Sequence, residues 1–499
     1  MLSHMVKRIK RLVKEIIYDP VRARIAYDLA IAIFSLGFCW SLFKLFSFPT
    51  ASPYVLFLYP FIYVTLNHLF GVYGPLKTAH IILKILALLG SSTTALMLFV
   101  FVGQPPLILI LTTVFVSMLT IIPRIFFNFG NTFHRNTYID TIVHDKLPVL
   151  VVGGGGYIGS HVVEKLLKEG FKVHVFDKFI YGKEVLSDLA KNKNLELIEG
   201  DISDIYSLTL ALTDVQAVIH LAGLVGDPAC ALDDKLTRHI NIVSTRMLKE
   251  SVKAFRIPKF IFASSCSVYG SSEEEVNETS PLNPVSLYAR TKIDAENEIM
   301  QDQFDLFHPT VLRFSTVFGH SKKPRFDLVA NLFDAPAYYD GVITVTGSNQ
   351  WRPFVHVADV ADAVVRIVQA PKEKVSRQVF NVGDDRLNIT IGDLAKIVAS
   401  VIKKSKKGKK VKILVKDDVA DRRNYHVSFS KIKNILGFEA QHMLQDGIEE
   451  IYDHFKKGTY KKPYKNSYYS NAEMAKQMKT EFYSDDYQKT HFSLMADNG

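Results

Sequence analysis

The chain has 499 residues, 48% of them hydrophobic, with 60 Lys and Arg against 50 Asp and Glu for a formal net charge of +10. That length exceeds one ordinary domain and implies two or three units. Three cysteines, Cys39, Cys230 and Cys266, exclude a disulfide framework or a cysteine-rich metal site and suit a reducing compartment.

The basic excess is localised. Residues 1–147 hold 13 Lys and Arg against 5 Asp and Glu, so +8 of the net charge lies there. A basic segment, 1–24, precedes four apolar runs at 25–48, 54–73, 81–102 and 107–122. Each run approaches the ~20 apolar residues that span a bilayer core. The turns between them are short, and Lys and Arg are concentrated before the first run, in the second turn and after the last. The positive-inside rule then places the N-terminus and everything after residue 127 in the cytoplasm. The expectation is an integral, multi-pass membrane protein with a four-helix transmembrane region at 25–127, a linker at 128–147 and a cytoplasmic catalytic domain. The lipid bilayer is an expected partner and nucleic acid is not, because the positive charge is juxtamembrane.

From residue 147 short apolar runs alternate with helical ones, the pattern of a parallel α/β sheet. Strands are predicted at 147–152, 172–176, 195–198, 217–222 and 259–263, with helices between them, for example at 161–168 and 245–255. The fold class is α/β: a Rossmann-type doubly wound parallel sheet in a unit spanning 148–460. After about residue 310 smaller elements form a C-terminal lobe over the sheet edge where ligands of such folds bind. The lysine-rich run at 403–412 reads as a solvated loop between a helix at 391–401 and a strand at 411–415. Residues 461–499 are polar and tyrosine-rich, and a poorly ordered tail is expected.

Gly153-Gly-Gly-Gly156-Tyr-Ile-Gly159 follows the first predicted strand and opens a helix. Gly153 permits a tight turn, Gly156 lets a pyrophosphate approach the backbone, and Gly159 lets the helix pack on the strand. The helix N-terminus then offers unpaired N–H groups to the phosphates. Asp177 ends the next strand, where a carboxylate accepts from ribose hydroxyls and repels a 2′-phosphate, so NAD is favoured over NADP. Asp201 and Ile202 stand where an adenine edge would lie. Downstream, Ser265 ends an apolar run, and Tyr288 and Lys292 share a helix face four residues apart. A phenol is a weak base near neutral pH, but a neighbouring ammonium and a positive nicotinamide favour the phenolate. Tyr288 would take a hydroxyl proton while hydride leaves, and Ser265 would hold the oxygen as it becomes a carbonyl.

These motifs, with His220-Leu-Ala-Gly223, Asn241, Leu312-Arg-Phe314 and Arg352-Pro-Phe-Val-His-Val-Ala-Asp359, resemble the extended short-chain dehydrogenase/reductase family, and within it the nucleotide-sugar epimerases similar to UDP-galactose 4-epimerase. The resemblance covers about 147–452. It implies Ser265, Tyr288 and Lys292 as the catalytic triad. For NAD it implies contacts from Gly153, Gly156, Tyr157, Ile158, Gly159, Asp177, Asp201, Ile202, Leu221, Ala222, Gly223, Asn241, Tyr288 and Lys292. For a nucleotide-diphosphate sugar it implies Ser265, Ser267, Thr316, Asn331, Arg352, Asp421, Arg423 and Tyr425, and it implies no metal. Dehydratases of the family carry an Asp-Glu pair after the catalytic hydroxyl residue; Cys266 and Ser267 stand there instead.

The leading expectation is therefore a membrane-anchored, NAD-dependent nucleotide-sugar epimerase acting at C4, for polysaccharide or glycoconjugate synthesis. Alternatives are a keto-sugar reductase, an epimerase of a polyprenyl-diphosphate-linked sugar, and a non-catalytic NAD-binding scaffold that recruits membrane glycosyltransferases. The resemblance also implies a homodimer through the helices after Asn241 and Tyr288.

Overall fold

The computed structural model describes residues 20–45, parts of 58–119, and 147–487 apart from 406–409, 417–420, 422 and 486. The chain divides into two compact units, Met1–Tyr138 and Ile139–Gly499.

In the first unit a helix, Pro20–Leu45, runs over the first apolar segment. Ala32, Cys39, Phe43, Tyr59, Tyr63 and Val116 form a small buried cluster, and Tyr59 Oη hydrogen-bonds Thr113 Oγ1 at 2.9 Å. The expected multi-pass localisation, with its transmembrane region, is corrected here. Among the described residues no helix is long and apolar enough to cross a membrane. Pro20–Leu45 carries Arg22, Arg24, Asp28 and Lys44 within its 26 residues, and Asp28 is buried. Most of the other three runs, the basic residues 1–19 and the linker 128–146 lie outside the described residues.

Among its described residues the second unit has fourteen strands. In chain order they are β1 (Val149–Val152), β2 (Val173–Asp177), β3 (Leu195–Glu199), β4 (Ala217–His220), β5 (Lys259–Ser265), β6 (Ser271–Val276), β7 (His308–Phe314), β8 (Thr316–Phe318), β9 (Val342–Thr346), β10 (Trp351–His356), β11 (Gln378–Val382), β12 (Asn388–Thr390), β13 (Lys412–Lys416) and β14 (Asn424–Val427). Seven of them form one sheet in the order β11-β7-β5-β4-β1-β2-β3, every pairing parallel. The order reverses at β1 and β4, the switch point at which such sheets open a crevice for ligands.

Side-chain alternation explains the layering. Val149 and Val151 face the helices Gly159–Lys168 and Val357–Gln369, while Leu150 and Val152 face Ser244–Ala254 and Leu287–Met300 on the other side. β1 and β4 are buried at every residue, which is why they read as unbroken apolar runs. Each such Val or Leu stabilises the fold by about 1.5–3 kcal/mol. The predicted strands match the observed ones to within two residues.

The C-terminal lobe has its own core. Helices Val329–Tyr339, Ile391–Ser405 and Leu444–Lys456 pack on β8–β10 and the β9–β13 pair around Phe318, Phe354, Leu394 and Ile448. Residues 461–485 are not the loose tail their composition implies. Tyr460, Tyr464, Tyr468 and Tyr469 pack on Phe326 and Phe455, and helix Asn471–Phe482 then lies on the Rossmann part of the same unit through Ala475 and Phe482. Of these tyrosines Tyr469 is buried and the other three are partly buried against the same cluster.

Candidate active site

The loop after β1 is dictated by close approaches. Gly153 has φ +88°, and a Cβ on it would lie 2.6 Å from the Ala222 nitrogen. A Cβ on Gly159 would lie 2.2 Å from the Gly153 oxygen, so neither position tolerates a side chain. Gly156 differs: its nearest neighbour would be 3.4 Å away, ordinary contact, so the protein itself does not require glycine there. What glycine leaves open is the cleft side, where a pyrophosphate would approach.

Asp177 anchors this loop. Its carboxylate accepts from the Gly155 N–H at 2.8 Å and the Phe179 N–H at 2.7 Å, and burial pushes its carboxyl up from the ordinary value. Lys178 ion-pairs with Asp201 at 3.0 Å and with Glu481 of the C-terminal helix at 2.6 Å. The cleft is walled by Gly153, Gly156 to Gly159, Asp177, Asp201, Ile202 and Leu221 to Gly223, which are the sequence-predicted cofactor residues except Asn241, Tyr288 and Lys292. Asn241 holds structure instead: its amide pairs with both the N–H and the carbonyl of Leu224 and donates to Thr291. The opposite wall was not anticipated. It comprises Lys323 and Arg325 after β8, and Asn471, Met474, Met478, Glu481 and Phe482. The spacing of Met474, Met478 and Phe482, four apart on a helix, was the available signal.

Ser265 closes β5, and Ser286 caps the helix Leu287–Met300 by accepting from the Ala289 N–H at 3.2 Å. This brings Tyr288 beside Ser265, whose side chain favours the phenolate. Lys292, one turn on, donates to the Ala263 carbonyl at 2.7 Å, and its ammonium lies 5.8 Å from the Tyr288 ring centroid. The triad residues are thus together. Their protonation differs from the sequence expectation. Burial pushes the Tyr288 phenol up, with Ser265 opposing, and burial pushes Lys292 down to about 8. Desolvation of the phenolate therefore outweighs the influence of Ser265 that favours it.

Beneath Ser265 lies a buried network. Glu296 ion-pairs with Arg313 at 2.7 Å and hydrogen-bonds Ser264; Arg313 donates to Tyr269 Oη at 3.0 Å, which donates to Asn381 at 2.8 Å. It ties β5 to β7, to β11 and to the helix carrying Tyr288. Glu296 stands four residues after Lys292, on the same face, and that spacing was the clue in the sequence. Beside Ser265, the Cys266 thiol is pushed up by burial to about 12 and donates to the Arg313 carbonyl at 3.2 Å. The Ser267 hydroxyl is buried with no hydrogen-bond partner among the described residues.

Four of the expected substrate residues meet at the lobe. Arg352 of β10 ion-pairs with Asp421 at 3.0 Å and donates to the Arg423 carbonyl, and its guanidinium lies 5.7 Å from the Tyr425 ring. Arg423 binds Asp421 at 2.6 Å and reaches Asp227 at 3.5 Å. Burial works against ionisation of Asp421, but the two arginines outweigh it and hold its carboxyl below the ordinary range. Thr316 is half-buried in β8. Asn331 stands apart: its amide is spent on Tyr157 Oη and on the backbones of Gly319 and Arg325.

Residues 149–383 match the model of the NAD dependent epimerase/dehydratase family. A UDP-glucose 4-epimerase of Lactobacillus helveticus is 29% identical over 277 residues, 51% of this chain and 82% of that protein. A dTDP-D-glucose 4,6-dehydratase of Mus musculus is 26% identical over 322 residues, 62% of this chain and 88% of that protein. Among solved structures, the UDP-glucuronic acid 4-epimerase from Bacillus cereus, in complex with UDP-glucuronic acid and NAD, is 27% identical with a TM-score of 0.56, covering 62% of this chain and 99% of that one. The glycine loop, the open face of Gly156 and the carboxylate of Asp177 fit NAD. This chain belongs to the NAD-dependent epimerase/dehydratase family, and is an enzyme that uses NAD as its cofactor.

Proposed function

We propose that the protein interconverts the C4 epimers of a UDP-sugar, supplying an activated sugar for polysaccharide or glycoconjugate synthesis. The observation that carries this reading lies beside Ser265. Eliminating water from a sugar requires its own acid and base. The two neighbouring side chains are a thiol held at about 12 and a hydroxyl, so neither exchanges protons near neutral pH. Only the chemistry of one hydroxyl is left.

NAD, held by the glycine loop and Asp177, would supply a reversible acceptor for the hydride of the sugar carbon. Tyr288 Oη takes the proton of the C4 hydroxyl and gives it back when the opposite epimer forms, so no redox equivalent is consumed overall. Ser265 donates to the oxygen while it is a carbonyl. Lys292, charged below about pH 8, supplies the positive charge that a buried phenol needs before it can ionise. Arg352 and Arg423, set 71 residues apart in sequence and meeting at Asp421, offer two guanidinium groups to a diphosphate. The names of the similar proteins support UDP as the nucleotide.

The test is incubation of the NAD-loaded protein with UDP-glucose, UDP-glucuronic acid and dTDP-glucose, without added cofactor. Conversion to the 4-epimer is expected. A 4-keto-6-deoxy product would establish a dehydratase instead, and turnover only with stoichiometric reduced cofactor would establish a reductase.

A further inference from the structure

Lys323 lies in the cofactor cleft, is 1% exposed, and forms no ion pair with any carboxylate among the described residues. Its ammonium sits 4.0 Å from the Tyr181 ring centroid and 5.5 Å from that of Tyr468, with one long contact, 3.5 Å, to the Pro324 carbonyl. Two aromatic faces ease the burial of a cation but do not neutralise it. The nearest acid, Asp327, is already engaged by Arg325 through two hydrogen bonds of 2.9 Å and also accepts from the Asn471 N–H. With Lys323 protonated, the group of Lys323, Arg325 and Asp327 therefore carries one uncompensated positive charge.

The chain places that charge opposite the glycine loop. Ser321 donates to the Tyr157 carbonyl at 2.8 Å and meets Ser160 Oγ at 3.1 Å, while Tyr157 Oη donates to the Gly319 carbonyl at 2.7 Å. The segment 319–321 is thus fastened to the first turn of helix Gly159–Lys168, where N–H groups point at the cleft. Lys323 follows two residues later and lines the same cleft as Gly156 and Gly159.

We propose that Lys323 is a cofactor-binding residue: it closes on the pyrophosphate of NAD from the lobe side, opposite the backbone N–H groups of the glycine loop. A dianion between a helix N-terminus and an ammonium would meet donors on two sides. Burial next to Arg325 pushes Lys323 down to about 7, a cost that a bound phosphate relieves. Nothing in the sequence pattern marks this lysine.

The experiment uses the full chain stripped of nucleotide and compares Lys323→Met and Lys323→Arg with the parent by calorimetric titration of ADP, adenosine and UDP. In Lys323→Met the dissociation constant for ADP is expected to rise at least about tenfold, as loss of a charge-assisted hydrogen bond implies. Adenosine and UDP should change by less than about twofold, because neither presents a pyrophosphate to this wall. Lys323→Arg should recover most of the ADP affinity. The melting temperature of cofactor-free Lys323→Met should equal or exceed the parent's, since an unpaired buried charge has been removed. Unchanged ADP affinity would overturn the proposal. So would a loss confined to UDP, which would assign the charge to the sugar nucleotide, and so would an earlier melt, which would mark a structural lysine.

Discussion

The two walls of the cofactor cleft are made in different ways. One comes from consecutive βα units: β1, its glycine loop, Asp177 at the end of β2 and Asp201 after β3. Its residues are held by contacts over short sequence distances, such as Gly155 N–H to Asp177, 22 residues apart. The other comes from residues 319–327 and a helix near the C-terminus. These arrive through contacts as distant as Tyr157 to Gly319, 162 residues apart, and Lys178 to Glu481, 303 apart. The first wall is a local property of the sequence; the second exists only after the lobe and its C-terminal extension have packed.

The largest effect is expected where neither wall contributes. Tyr288→Phe keeps the ring and both walls and removes the proton acceptor. Turnover should fall by about 10²–10⁴, the usual contribution of a positioned base. NAD content of the purified variant should match the parent's. A variant that lost both would show that Tyr288 belongs to binding as much as to chemistry.

Breaking the first wall comes next. Gly159→Ala puts a Cβ 2.2 Å from the Gly153 oxygen, with Gly154 backbone atoms at 2.7 and 2.9 Å, so backbone must shift. Overpacking of this kind costs about 1–3 kcal/mol. Because the strain falls on the phosphate-facing turn, NAD affinity should drop together with thermal stability, readable in a melt with and without NAD. Gly156→Ala, in contrast, meets only a 3.4 Å contact; it should leave the cofactor-free melt unchanged and weaken NAD alone.

The difference between the walls also explains what was legible. The strands β1 and β4 were readable because burial on both faces makes each a short, mostly apolar run, and β3 at the sheet edge because Leu195 and Leu197 alternate with acids. Gly153, Gly159, Asp177, Tyr288 and Lys292 were readable because backbone geometry fixes their spacing. The membrane reading rests on the length of the apolar runs and the placement of Lys and Arg, and neither registers that Asp28 is buried within Pro20–Leu45. The C-terminal segment was misread for the reverse reason. Tyr460, Tyr464, Tyr468 and Tyr469 counted as polar, yet their rings pack on Phe326 and Phe455. Asn331 and Asn241 were assigned to ligands, whereas their amides are consumed by loop backbones. An amide's partners cannot be read from its neighbours in sequence.

Deleting residues 470–499 removes half of the second wall while leaving the glycine loop untouched. It exposes Leu236 and Ile240, now covered by the helix that contributes Ala475 and Phe482. Losing the contacts of one buried phenylalanine alone removes about 3 kcal/mol of packing. NAD is expected to dissociate at least about tenfold faster from the shortened protein. Turnover at saturating NAD should persist, since Ser265, Tyr288 and Lys292 sit on β5 and the helix Leu287–Met300. Stopped-flow release of fluorescent reduced cofactor measures the first, and an assay at high NAD the second.

The smallest expected effect concerns the Lys178–Glu481 ion pair, which joins the walls across the cleft rim. Burial works against the Lys178 ammonium, but Asp201 and Glu481 outweigh it and hold it above the ordinary value. A raised lysine contributes stability that is complete below its unfolded value and fades only as pH rises through the folded one, so near neutrality the pair does not titrate. Glu481→Gln should therefore act through charge alone. Glu481 is half-exposed, and such pairs are worth under about 1 kcal/mol. NAD affinity should change by less than about threefold. Binding of NADP should improve a few-fold at low salt, because Lys178 keeps its charge while one of the carboxylates near the ribose is gone; at about 0.5 M salt the gain should vanish. Retention of the same NAD-to-NADP ratio in both salts would mean that Asp177 excludes the 2′-phosphate unaided, and that the second wall shapes retention of the cofactor and leaves its identity to the first.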